Sequence, residues 1–279
     1  MKLEDLEIRL MDFAFKEGVS QTTEILKRFE DVFSEENIDD NHNTSRNELI
    51  ECLKKYKKIA LGCRPQIIPL LKSIDNILKE ITKSSNDACS GRDLIGIARD
   101  KCRKLREQME DDDKKAVNFL LELFERGMIC VLDSESKLVN SFLKDPRVDW
   151  KSALKIDIPR HVLGYRITKD DFKISSGEKK AIFIEAHTLT EEGWVIVVKG
   201  GYTLAYLAQK RNIPFYIVTT FNKVSFCSRE LIEEMIETEP IANFYYDFIP
   251  PELITKIATE KGIYSPCEIK DVYLKDTSR

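Results

Sequence analysis

Apolar side chains recur at three- and four-residue spacing through the first part of the chain. Ile25, Leu26, Phe29, Val32 and Phe33 form one stripe, and Leu49, Ile50, Leu53, Tyr56 and Ala60 a second. Ile67, Leu70, Leu71, Ile74, Ile77, Leu78 and Ile81 form a third. Leu94, Ile95, Ala98, Cys102, Leu105 and Met109 follow, and then Val117, Leu120, Leu121 and Phe124. A period near 3.6 places each set on one face of a helix, so amphipathic helices packed on one another are expected. Gly62-Cys63-Arg64-Pro65 interrupts this series, with the proline where a first helical turn tolerates it. Ser34 to Arg46 is polar and reads as a loop. The acidic run from Glu107 to Asp113, centred on Asp111, Asp112 and Asp113, reads as a break between two helices with a solvated start to the second.

At Gly127 the period changes. Short apolar runs appear at Met128–Leu132, Ala153–Ile158, Val162–Ile167, Ala181–Ile184, Trp194–Val198 and Ile213–Val218. Helical patterns at Lys137–Leu143 and Tyr202–Lys210 separate some of them. Buried strands alternating with helices predict a mostly parallel sheet with helices on its faces. Pro250-Pro251-Glu252-Leu253-Ile254 suggests a proline-started helix, Gly262 its stop, and Val272–Leu274 a final strand. The expected architecture is a helical domain over residues 1–126, followed by a Rossmann-like α/β domain over 127–279.

Composition narrows the function classes. Of 279 residues, 42% are hydrophobic and 33% charged, and 48 acidic side chains against 44 basic ones leave a formal charge of −4. A nucleic-acid binder needs a basic excess or a basic face, so that class is not expected. No apolar run reaches the roughly 20 residues of a membrane span. The opening Met1-Lys2-Leu3-Glu4-Asp5 is acidic where a secretory leader is basic, so a cytosolic location is expected. The seven cysteines are odd in number, scattered and without a Cys-x-x-Cys pair, which fits reduced thiols rather than disulfides or a zinc site.

Candidate chemistry is sparse. Val195–Val198 followed by Lys199-Gly200-Gly201-Tyr202 reads as strand, glycine pair, helix, a turn that can present amides to a phosphate. It carries neither nucleotide fingerprint, so a plain tight turn is the expectation. Of the three histidines, His42, His161 and His187, His42 lies in a polar loop. His187 follows a predicted strand, where an open α/β sheet places its ligand crevice, but no serine or cysteine motif accompanies it. Lys54, Lys55, Lys57 and Lys58 form a basic cluster on a predicted helix, with Lys54 and Lys58 on one side while Leu53 and Tyr56 turn inward.

Several segments resemble a known family. These are Gly62-Cys63-Arg64-Pro65 through Lys79-Glu80-Ile81-Thr82, Ile184 to Gly193, Asn212 to Val218, and Tyr246-Asp247-Phe248-Ile249-Pro250-Pro251-Glu252-Leu253-Ile254 ending near Ser265-Pro266-Cys267. They are similar to the alpha, beta and delta regulatory subunits of eukaryotic translation initiation factor 2B, and most of all to delta. Sugar-phosphate isomerases share the superfamily. The resemblance implies a regulatory subunit of the complex that exchanges GDP for GTP on initiation factor 2, with catalysis in another subunit. Implied partners are a beta-type subunit, the alpha, gamma and epsilon subunits, and initiation factor 2 through its phosphorylated alpha chain. No cofactor, metal, nucleic acid or membrane is implied.

The isomerases of this superfamily use a cysteine and an aspartate. Here those positions hold Ser134 and His187, which implies no catalytic residues. Lys27, Arg28, Lys54 and Lys58 are the implied receivers of the phosphorylated partner, since a phosphoserine calls for cations. Phe244, Tyr246, Phe248, Pro250 and Pro251 are the implied oligomer interface. The alternatives are an isomerase of ribose 1,5-bisphosphate or methylthioribose 1-phosphate, and the alpha subunit of the same complex.

Overall fold

The computed structural model describes residues 20–33, 46–62, 68–84, 91–124, 129–133, 136–148, 154–156, 180–225 and 246–277. The chain forms two compact units, residues 1–111 and 112–279. In the first, helices α1 (Ser20–Val32), α2 (Arg46–Gly62), α3 (Ile68–Lys83) and most of α4 (Gly91–Glu122) follow the apolar stripes. Ile25, Leu26, Phe29, Leu53, Ile74, Ile77, Ala98 and Cys102 are almost completely buried in one core. Leu53 and Tyr56 point into it and Lys54 and Lys58 point out, as the spacing requires.

Helix α4 corrects the sequence reading. No break occurs at Glu107–Asp113, and the helix runs unbroken through the acidic stretch. Met109, Asp112, Asp113, Ala116, Val117 and Leu120 keep three-and-four spacing and are all buried. Asp112 and Asp113 therefore occupy the inner stripe, at 7% and 6% exposure, rather than a solvated helix start. Division into units falls inside this helix, ahead of the expected boundary at residue 126, because Ala116, Val117, Leu120 and Leu121 pack into the core of the following sheet.

The second unit is built on a six-stranded sheet of order β10-β9-β6-β3-β1-β2. Its strands are β1 (Ile129–Asp133), β2 (Leu154–Ile156), β3 (Lys180–Glu185), β6 (Phe215–Val218), β9 (Lys256–Thr259) and β10 (Gly262–Tyr264). All pair in parallel except β10, which returns antiparallel on β9. Helix α5 (Lys137–Leu143) and the end of α4 cover one face, where Phe142, Phe183 and Val218 are buried. Helices α6 (Gly201–Lys210) and α7 (Ile269–Thr277) pack with the opposite set, Ile182, Ile184, Phe215 and Ile217. The alternation of these residues along β3 and β6 is the period of a sheet covered on both sides.

A second sheet departs from the expected plan. Strands β4 (Thr188–Thr190), β5 (Val195–Val198), β7 (Val224–Ser225) and β8 (Tyr246–Ile249) form it in the order β7-β4-β5-β8. The Trp194–Val198 run thus belongs here and not to the parallel sheet. Pro251–Leu253 makes a single 3-10 turn instead of a helix, and the hairpin β9–β10 follows. The expected strand at Val272–Leu274 lies within α7, because Ile269 and Tyr273 bury at helical spacing. Ser265, whose amide donates to the Glu268 carboxylate at 2.7 Å, starts that segment. The expected strand Val162–Ile167 lies outside the described residues.

Candidate active site

Strands β1, β3, β6 and β9 run parallel, so their C-terminal ends share one edge, where an open α/β sheet presents its ligand crevice. Polar side chains gather there. Glu185 ends β3, on the same face as Ala181 and Phe183. Lys223 ends the 3-10 turn Phe221–Lys223 after β6 and is 1% exposed. Its ammonium donates to Glu185 Oε1 at 2.5 Å and to the Ala186 carbonyl at 2.8 Å. The other Glu185 oxygen accepts from the Ser136 hydroxyl and from the Leu138 amide at 3.1 Å. Ser136 is the N-cap of α5 and accepts in turn from the Val139 amide at 3.0 Å. The Glu185 carboxylate therefore ties helix start, strand end and turn together.

The acidic stretch of α4 completes the cluster. Asp113 pairs with Lys137 at 3.0 Å, and Asp112 accepts from the Asn222 side chain at 3.4 Å. Glu260, in the turn after β9, receives the Phe221 amide on both oxygens, at 3.0 and 3.2 Å. Burial alone would raise the Glu185 pKa, but Lys223, Ser136 and the Leu138 amide outweigh it and hold the carboxyl below its ordinary value. Burial raises Asp113, with Glu185 adding to the push and Lys137 and Lys223 opposing it. Burial, reinforced by Asp112, pushes Glu260 up to about 7 against the Phe221 amide and Lys261. The edge thus combines a buried ammonium, an ionised carboxylate, and a carboxyl poised near neutral pH, the groups that proton transfer requires.

The glycine turn does something else. Gly200 has φ 99° and caps α6, and its amide donates to Asp247 Oδ2 at 2.7 Å. The Tyr202 amide reaches the same oxygen at 3.1 Å, and Lys199 pairs with Oδ1 at 2.8 Å. The amides that could have cradled a phosphate hold the carboxylate of β8 instead. A Cβ at Gly201 would lie 2.3 Å from Val197 Cγ2, so close packing demands glycine there.

Of the residues singled out from sequence, His187 is half-buried immediately before β4. Its Nδ1 lies 3.1 Å from the Thr188 hydroxyl, and its ring meets Tyr246 edge-on at 5.0 Å. Ser134, His42, His161 and Phe244 lie outside the described residues. Lys27, Lys54 and Lys58 are exposed, Arg28 pairs with Glu24 at 2.7 Å, and Lys54 pairs with Glu51 at 2.8 Å. Tyr246, Phe248, Pro250 and Pro251 are all partly exposed along β8 and the turn after it. Among the described residues, no group of three or more His, Cys, Asp or Glu is arranged to hold a metal ion. None of their helices is long and apolar enough to cross a membrane.

Sequence and structure comparisons agree on the fold group. Residues 176–266 match the Initiation factor 2 subunit family. Methylthioribose-1-phosphate isomerase of Aquifex aeolicus is 28% identical over 153 residues, covering 48% of this chain and 33% of that protein. The enzyme of the same name from Bacillus mycoides is 36% identical over 108 residues, covering 32% and 31%. The chain spans about a third of the length of these curated relatives. The tetrameric eIF2B-beta2-delta2 complex from C. thermophilum contains a chain of the same fold, with TM-score 0.68 at 14% identity, covering 98% of this chain and 95% of that one. 5-Methylthioribose 1-phosphate isomerase from Pyrococcus horikoshii has TM-score 0.62 at 15% identity, covering 99% and 88%.

These relatives correct one expectation. The expectation that this chain is not an enzyme is overturned by curated relatives at 28–36% identity that are named for an enzyme. The expectation of no catalytic residues rested on Ser134 and His187 and left out Asp113, Glu185, Lys223 and Glu260 at the C-terminal edge of the sheet.

Proposed function

We propose that the α/β unit binds a phosphorylated pentose at the C-terminal edge of its six-stranded sheet and interconverts the aldose and ketose forms. The observation that carries this reading is the cluster Glu185–Lys223–Ser136 with Asp113 and Glu260, in a chain whose curated relatives are named methylthioribose-1-phosphate isomerase. From a pentose 1-phosphate, such an isomerisation moves hydrogen from C2 to C1 and the proton of the C2 hydroxyl to the ring oxygen, as the ring C1–O bond breaks and the C2 carbonyl forms. A carboxyl near neutral pH suits the first transfer, and a buried ammonium stabilises charge developing on oxygen. The test is turnover of methylthioribose 1-phosphate and of ribose 1,5-bisphosphate by the purified chain, followed by NMR. Conversion of one of them, reduced at least about a hundredfold by Glu260→Gln, is expected. No conversion of either would overturn the reading.

A second reading is a subunit of an initiation factor 2B-type assembly, of the alpha, beta and delta class and nearest to delta. It is favoured by the match of residues 176–266 to the Initiation factor 2 subunit family and by a Pyrococcus furiosus relative named putative translation initiation factor eIF-2B subunit 2-like, 22% identical over 183 residues, covering 57% of this chain and 66% of that protein. In this reading Phe244, Tyr246, Phe248, Pro250 and Pro251 meet a second chain of the same fold. Lys27, Arg28, Lys54 and Lys58 receive a phosphorylated partner. Tyr246 of β8 meets the His187 ring two residues beyond Glu185, so pairing through β8 would lie beside the proposed site.

A further inference from the structure

Two hydrogen-bonding positions at this sheet edge are left over. Thr219 follows Val218, the last residue of β6, which stands in register with Glu185 on β3 and Ala258 on β9. Thr219 thus comes level with Ala186 on one side and Thr259 on the other. Its amide donates to the Ala258 carbonyl at 3.0 Å. Its hydroxyl is fully buried and has no hydrogen-bond partner among the described residues. The neighbouring Thr259 hydroxyl is satisfied, donating to the Gly262 carbonyl and accepting from the Lys261 amide, both at 3.2 Å. The Lys223 ammonium has three hydrogens. Glu185 and the Ala186 carbonyl take two of them, and no described residue takes the third.

Both leftovers lie beside Ala186, since its carbonyl carries the ammonium and its register neighbour is Thr219. The pleat puts Thr219 on the face of Ile184 and Ile217, opposite Glu185. A ligand seated across the strand ends is therefore met from one face by the Glu185–Lys223 pair and from the other by Thr219. Buried polar groups are nearly always paired, and two leftovers within one five-residue segment point to a partner from outside the chain. We propose that Thr219 is a binding residue that selects a sugar: its hydroxyl bonds a hydroxyl of the phosphorylated pentose, beside the sugar oxygen that takes the third hydrogen of Lys223. This rests on the isomerase reading above and adds to it the recognition of sugar hydroxyls, for which a site built to hydrogen-bond them discriminates strongly.

A merely structural hydroxyl and a ligand-binding one differ in sign. In the free chain an unpaired buried hydroxyl destabilises the fold, and valine has its shape without its polarity. Thr219→Val should therefore raise the urea midpoint of the free chain, while weakening binding of methylthioribose 1-phosphate about tenfold by calorimetric titration. In turnover, KM should rise more than kcat falls, and Thr219→Ser should restore the affinity. Equal binding by Thr219→Val and the unmodified chain would overturn the proposal and leave the isomerase reading standing. So would a lowered urea midpoint or a failure to fold in Thr219→Val, because the hydroxyl would then have a partner in the free chain, and so would a Thr219→Ser variant as weak as Thr219→Val. No binding by the unmodified chain would overturn both readings together.

Discussion

Replacing Lys223 by methionine keeps an unbranched stem in the turn and removes the ammonium. Glu185 would then retain the Ser136 hydroxyl and the Leu138 amide but lose its ion pair. Removing one member of a buried pair leaves an uncompensated charge and costs about 3–5 kcal/mol. For a unit of this size that corresponds to a fall in Tm of roughly 6–20 °C. The sign of the pH dependence is fixed as well. In the unmodified protein Glu185 sits below its ordinary pKa, so its contribution is present at neutral pH and lost as pH falls through the folded value. Without Lys223 burial dominates and the folded pKa rises, so the deficit of Lys223→Met should shrink as pH is lowered from 7 to 5.

Urea denaturation followed by tryptophan emission measures this, because both tryptophans, Trp150 and Trp194, lie in the α/β unit. The double variant Glu185→Gln/Lys223→Met should recover most of the loss, since replacing a whole buried pair by neutral groups is often close to neutral. A deficit below about 1 kcal/mol, a deficit that grows toward acid, or no recovery in the double variant would refute the reasoning.

Other outcomes follow from the same geometry. Asp247→Ala removes the acceptor for the Gly200 and Tyr202 amides and should cost about 0.5–2 kcal/mol in chemical denaturation, the range of a lost helix cap. Gly201→Ala drives a methyl into Val197 and should cost about 1–3 kcal/mol in the same assay. Tyr246→Lys with Phe248→Lys should weaken pairing with a second chain at least about a hundredfold by analytical ultracentrifugation, with the fold unchanged by circular dichroism.

Helices α1 to α3 were legible because each carries an uninterrupted apolar stripe that one core buries. The parallel strands were legible as short apolar runs between helical patterns. Asp112 and Asp113 were misread because a charge run usually marks solvent. Their spacing from Met109 and Ala116, three and four residues on the inner stripe, was the signal that they are buried. Glu185 and Lys223 could not be joined from sequence, since their pairing depends on the register that sets Glu185 beside Val218. The β9–β10 hairpin was missed because Lys256–Thr259 and Gly262–Tyr264 are short, and their pairing in the sheet rather than periodicity defines them. Asp247 was visible within a motif, yet its role as the cap of α6 needs the pairing of β5 with β8.

The most direct test of the functional claim is where a phosphorylated pentose binds. Amide chemical shifts of the isotope-labelled chain, followed during titration with methylthioribose 1-phosphate, locate it residue by residue. Perturbations concentrated at Ser136–Leu138, Glu185–His187 and Thr219–Lys223, and weakened in Lys223→Met, are the predicted result. Shifts confined to the helical unit or to the Gly200 turn, or none at millimolar ligand, would contradict the account.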